Sequence, residues 1–236
     1  MAPFLLPAFI AGIFGLVSFA LTIRYQLCDF RISAVFFILA FLLISFSLIG
    51  SFYVFYSRLS NAATQTQVLI GCGLVVVLLL SFVIFKVLPN AAKIPRIHDI
   101  TTDTAHPPQF TRLNSNRTGA LNSLEYGGPK VAELQQKAYP DIQTLRFPVK
   151  PAEIFQRALV QVQKLGWEIA LSDQETGIIE ATAATPLIGF RDDVIIRITA
   201  DQQQQMTSID MRSVSRVGAS DLGANAARIR SFLQHL

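Results

Sequence analysis

The chain has 236 residues, 51% of them hydrophobic and only 15% charged, against roughly 25% charged in a soluble globular average. That balance disfavours both disorder and a wholly soluble fold. The net charge of +4 does not mark a nucleic-acid binder, because residues 89–236 hold 16 basic and 15 acidic side chains and are near neutral. Cys28 and Cys72 sit in or beside apolar runs, so no disulfide framework and no cysteine metal site is on offer.

Three apolar runs come first: Phe4–Ile23, Ala34–Tyr56 and Gln67–Leu88. Each is about 20 residues, and at a rise of ~1.5 Å per residue each matches a hydrocarbon core of ~30 Å. The first lacks a basic leader and two more runs follow, so it reads as a retained helix rather than a signal peptide. No ionisable side chain lies in the middle of any run, which leaves a proton or ion pathway nothing to use. The region is expected to be a three-helix anchor. Gly12, Gly15, Gly71 and Gly73 are small enough for close helix approach. Placing the Arg24–Arg31 loop and the segment after Lys86 inside leaves only Arg58 outside, and that charge count predicts a cytoplasmic C-terminal domain.

Residues 89–141 read as a partly structured linker, punctuated by Pro89, Pro95, Pro107, Pro108 and Gly127–Gly128, with one short helix over Pro129–Ala138. From residue 142 the pattern is that of an α+β domain, 142–236, expected to fold by itself. Gln143–Val149 is a strand. Pro151 opens a helix whose apolar positions are Phe155, Leu159, Val162 and Leu165, and Gly166 closes it. Trp167–Leu171, Gly177–Ala184, Asp193–Ala200 and Thr207–Val217 follow as strands. The last helix starts at Ser220 as N-cap, with Asp221 in its first turn and a stripe of Leu222, Ala226, Ile229 and Leu233. The order β-α-β-β-β-β-α fits an antiparallel sheet with both helices on one face, a TATA-box-binding-protein-like or helix-grip arrangement. That comparison is of fold only.

Two stretches carry a resemblance: GFRDDVIIRI, and DMRSVSRVGASDLGANAARIRSFL. Together they resemble the bacterial and plastid family known as domain of unknown function 1499, whose signature is a Gly-Phe-x-Asp-Asp strand followed by Arg-Ser-x-Ser-Arg-x-Gly-x-Ser-Asp-x-Gly-x-Asn-x-x-Arg-Ile. The upstream IHDITTDTAHPPQF and VAELQQKAYPDI are similar to its three-helix membrane branch. The Cys-Pro-x-x-Pro-Asn-Cys motif of another branch is missing here. The resemblance implies a bacterial inner-membrane protein whose domain lies outside the cytoplasm, in the periplasm, which opposes the arginine count. It implies no activity.

The candidate site residues are Asp192, Asp193, Arg212, Arg216, Ser220, Asp221, Asn225 and Arg228. Period-two alternation puts Arg212 and Arg216 on one sheet face, and pairing of the last two strands brings the Asp pair close to Arg216. Such a set makes a structural ion-pair and capping network that fixes the final helix to the sheet. It also makes a receptive place for a phosphate or carboxylate, with a lipid headgroup or envelope glycan phosphate as the expected ligand class. A third arrangement uses Asp192 or Asp193 as general base and Ser213 or Ser215 as nucleophile, but no histidine lies near in sequence to activate a serine. His98, Asp99, Asp103 and His106 have metal-ligand side chains in what reads as a turn-rich tether, and no metal is assigned. The expected function is a membrane-anchored, non-catalytic envelope binding or assembly module without cofactor. The alternative is a hydrolase-like enzyme acting on an envelope substrate.

Overall fold

The computed structural model describes residues 2–25, 27, 30–57, 64, 68, 94–115, 117–186, 189–201 and 205–236. Two compact units result, Met1–Ala92 and Lys93–Leu236. In the first, α1 (Ala2–Tyr25) and α2 (Phe30–Ser57) form a helix pair. Leu6, Phe14, Phe41 and Ile49 all point outward, each more than half exposed. The windows Leu6–Tyr25 and Ile32–Ser57 have mean hydropathies of 2.2 and 2.8, and both helices are long and apolar enough to cross a membrane. They meet at glycine. A Cβ on Gly12 would lie 2.5 Å from Ile44 Cγ1, and one on Gly15 would lie 2.7 Å from Ala40 Cβ. The third apolar run, Gln67–Leu88, lies almost wholly outside the described residues.

The second unit is built on one six-stranded antiparallel sheet. Its strands are β1 (Asp99–Thr101), β2 (Leu145–Phe147), β3 (Glu168–Asp173), β4 (Ile178–Ala184), β5 (Arg191–Asp201) and β6 (Met206–Ser215). The spatial order is β1-β6-β5-β4-β3, and β2 shares the outer edge of β6 with β1. Helices α3 (Gly128–Ala138), α4 (Pro151–Lys164) and α5 (Ala224–Leu233) complete it. From β2 onward the order is the expected β-α-β-β-β-β-α.

Alternation along β4, β5 and β6 sorts the side chains onto two faces. One face presents Ile179, Ala181, Val194, Ile196, Ile209 and Met211, and these pack in one core with Ile154, Phe155, Ala158 and Val162 of α4 and Ala226, Ile229 and Phe232 of α5. Both helices therefore lie on the same face. Pro151 opens α4, where its missing N–H costs nothing.

The other face is where the domain departs from expectation. Residues 94–141 belong to the same compact unit as 142–236, so the boundary of the domain falls at Lys93 rather than at residue 142. β1 pairs with β6 through Asp99–Val214, Ile100–Ser213 and Thr101–Arg212. Phe110, Leu113 and Leu124 form a second core with Ile195 and Val214, the side chains that the helices leave uncovered. The side-chain amide of Gln135, on α3, donates to Thr101 O at 2.6 Å and accepts from Thr101 N at 2.9 Å. It thereby finishes the β1 edge as a further strand would.

Two details of the last helix also differ. Ser220 is not its N-cap. Leu222 and Gly223 take φ of +53° and +85°, which breaks the chain before α5 and makes Gly223 the cap. Leu222 is consequently 75% exposed instead of buried, and Phe232 takes the core position expected for Leu233.

Candidate functional site

Ile195 and Val214 are the apolar part of the second face. The rest of it is charged. Arg212, on β6, is fully buried and donates twice to Asp99, from Nε at 3.0 Å and Nη2 at 2.8 Å. Its remaining bonds go to the carbonyls of Pro108 and Leu124, at 3.0 and 2.7 Å. The rings of Phe110 and Tyr126 each lie 5.4 Å from its guanidinium carbon, within cation–π range. Burial, with the charge of Asp99 beside it, pushes the Tyr126 hydroxyl up to about 12.

Arg216 follows the same logic one step on. Its Nε and Nη2 reach Asp193 Oδ1 at 3.0 and 2.8 Å. Asp193 is fully buried, and it also accepts from Thr182 Oγ1 at 3.0 Å and from Arg117 Nε at 2.7 Å. One carboxylate therefore serves two guanidiniums and a hydroxyl. Arg212 and Arg216 do lie on one face, as alternation requires, but each has its own acid from within the chain.

Asp192 goes the other way. As the neighbour of Asp193 on a strand it points to the helix face, where Arg228 of α5 donates to it. Arg228 also reaches Ser213 Oγ at 2.9 Å, and Ser213 Oγ donates to Asn225 Oδ1 at 2.7 Å. Asn225 Nδ2 donates to Ser215 Oγ and to His98 O, both at 3.0 Å. The two aspartates are thus not a paired site: the sheet separates them. Ser213 is fully buried and Ser215 nearly so, and among the described residues neither is bonded to a carboxylate or an imidazole that could take its proton.

Asp221 supplies the capping expected of Ser220. Its carboxylate accepts the N–H groups of Gly223 at 2.8 Å and Asn225 at 2.9 Å, two of the free donors at the start of α5. Burial holds its pKa above the ordinary value; those two N–H groups pull it down, and the charge of Asp192 adds to the rise. Ser220 Oγ instead accepts from Leu222 N at 3.3 Å and donates to Pro95 O at 3.4 Å.

Charged groups outside the predicted set of site residues are also held internally. Glu180 is fully buried and accepts from the N–H of Thr111, Arg112 and Leu113 and from the Thr111 hydroxyl, at 2.7 to 3.1 Å. Its signal in the sequence is an acid at an alternating position within the apolar strand GIIEATAA. Arg197 stands directly opposite Asp210 across β5 and β6, and its Nη2 bridges Asp210 and Asp103 at 2.8 and 2.9 Å. Arg117, bonded to Asp193, is a further one. Asp99 and Asp103, from the segment read as a tether with ligand-type side chains, are thus bound to Arg212 and Arg197. Among the described residues, one cavity of about 280 Å³ is lined by Thr102, Tyr139 and Gln143, and another of about 210 Å³ by Asp141, Arg230 and Leu233. Neither takes in a predicted site residue.

A family profile described as "Protein of unknown function (DUF1499)" matches residues 99–236. The chain belongs to this family. The match begins at Asp99, the residue that holds Arg212, and so includes the covering segment and both charged networks. The helix pair lies outside it. No curated protein is similar to the chain.

Proposed function

We propose that this chain is a membrane-anchored, non-catalytic binding or assembly module of the bacterial envelope. α1, α2 and a third span over Gln67–Leu88 serve as its anchor, and the domain stands on the periplasmic side. One observation carries the reading. The side chains of Arg212 and Arg216 are 0% and 6% exposed and are paired with Asp99 and Asp193. An anion site would need them open, and a hydrolase would need a serine with a base; both are spent on internal structure. The signature therefore builds a rigid scaffold, and recognition falls to the outer surface and the anchor.

Two measurements test this. A fluorophosphonate probe applied to membranes containing the full chain is expected to leave Ser213 and Ser215 unlabelled; labelling of either revives the hydrolase. Photo-cross-linkers placed over the domain surface in living cells are expected to capture envelope components from one face. Capture from no face would sink the binding module.

A further inference from the structure

Three exposed leucines share one end of the domain. Leu121 donates its own N–H to Arg216 O at 2.8 Å, just beyond β6. Leu222 lies in the connection between β6 and α5, and Leu165 ends α4 beside the start of β3. Their exposures are 43%, 75% and 40%. Leu222 is the most telling: a bulky side chain held at φ +53°, where a residue other than glycine is strained. Ser220 and Asp221 pin the backbone on either side of it, so the leucine is held outward by its loop.

The chain comes in at this same end. Ile97 O accepts from Asp221 N at 3.1 Å and His98 O from Ser215 N at 2.9 Å. Leu88, the last residue of the third apolar run, precedes Ile97 by nine residues, which span at most about 30 Å when fully extended. Exposed Arg96 stands in that connecting segment. The opposite end carries Asp173 and Glu175 in the β3–β4 turn and Lys150 at the start of α4. A tether from the lipid, apolar tips and an exposed cation thus coincide at one end.

We propose that this end of the domain rests on the lipid surface, with Leu121, Leu165 and Leu222 at the boundary between headgroups and acyl chains and Arg96 against anionic headgroups. The proposal rests on the anchor reading above and adds the face that meets the bilayer. It is tested on the full chain with Cys28 and Cys72 changed to Ser, reconstituted in phosphatidylethanolamine–phosphatidylglycerol vesicles. An environment-sensitive fluorophore is attached through Leu222→Cys, through Leu121→Cys, or through Glu175→Cys at the far end. Emission from positions 222 and 121 is expected to shift to the blue and to be quenched by lipids spin-labelled near the glycerol backbone, while position 175 stays solvent-like and unquenched. Solvent-like emission at 222 and 121 without quenching would overturn the proposal. So would a blue shift that grows with protein density and ignores the quencher, because it would identify a second copy as the occupant. Release of the chain from the vesicles by alkaline carbonate would instead remove the anchor reading, and the proposal with it.

Discussion

Arg212 and Asp99 are 113 residues apart in the chain and share two hydrogen bonds in the interior of the domain. Asp99 belongs to a segment with linker composition, and Arg212 to the most recognisable stretch of the sequence. A cut at residue 142 would separate them.

A fragment of residues 93–236 is therefore expected to unfold cooperatively on its own, and one of residues 142–236 is not. The shorter piece strips Asp99 from Arg212, Arg117 from Asp193 and four donors from Glu180, and it exposes Ile195 and Val214. Denaturant unfolding of both fragments decides it. A single sharp transition in the shorter fragment, with an unchanged midpoint, would show that the cover is dispensable.

Asp193→Ala is expected to cost more stability than Arg216→Ala, and Arg117→Ala least. Removing one partner of a buried pair costs about 3–5 kcal/mol because the other charge is stranded. Asp193→Ala strands two guanidiniums, whereas Arg117→Ala leaves Asp193 still paired with Arg216. The double mutant Asp193→Ala/Arg216→Ala should lose less than the sum of its singles. Additive losses below about 1 kcal/mol, the range of exposed pairs, would refute a buried pair.

Glu180→Ala should loosen the cover without touching the helix face. The amides of Thr111, Arg112 and Leu113 lose their acceptor, so hydrogen exchange there should accelerate while amides in α4 keep their protection. Uniform acceleration through the domain would mean that cover and helices open as one unit.

Asp221 sets a pH dependence of definite sign. Its carboxyl is raised, chiefly by burial, so the folded state holds the proton more tightly than the unfolded chain does. Between the unfolded value near 3.9 and the raised folded value, its contribution makes stability fall as pH rises. Asp103 acts oppositely: burial raises it, but the His106 N–H and Arg197 lower it further, and its contribution is lost as pH falls. Asp221→Asn keeps an oxygen acceptor for the start of α5 and should stay within about 1 kcal/mol of the parent at neutral pH, with the Asp221 part of the pH slope removed. A loss of several kcal/mol confined to neutral pH would show that the ionised carboxylate is needed as a cap.

In the first unit, Gly15→Leu should part the helices. Phe19 and Phe37 have ring centroids 4.9 Å apart, so with Cys28 and Cys72 changed to Ser a cysteine pair at these positions should be joined by a short bis-maleimide reagent, and with Gly15→Leu added it should not. Equal cross-linking would show that the pair does not depend on close approach at Gly15 and Ala40.

What the residues reveal in advance is the periodic part of the fold. β4, β5, β6 and α4 repeat apolar side chains at spacings that local geometry dictates, and their limits fall close to those observed. The cover has no such period. Phe110, Leu113 and Leu124 stand singly among prolines and polar turns, and only a sheet made from later residues gives them something to pack on. The charged site was half legible for a related reason. Alternation placed Arg212 and Arg216 together, but the same alternation also puts Asp192 and Asp193 on opposite faces, and their adjacency concealed this. Apolar spacing starts α5 too early because two successive left-handed residues leave no trace in it beyond the glycine itself.

The cover has one more consequence, in time rather than in space. At a synthesis rate of roughly 5–20 residues per second, the 113 residues from Asp99 to Arg212 take about 5–25 s to make. During that interval the ribosome has delivered β1 and the whole cover but not the strand that both need. Phe110, Leu113 and Leu124 then have no surface to close over, and Asp99 has no counter-ion. Burial of the cover must therefore wait until β5 and β6 have been made.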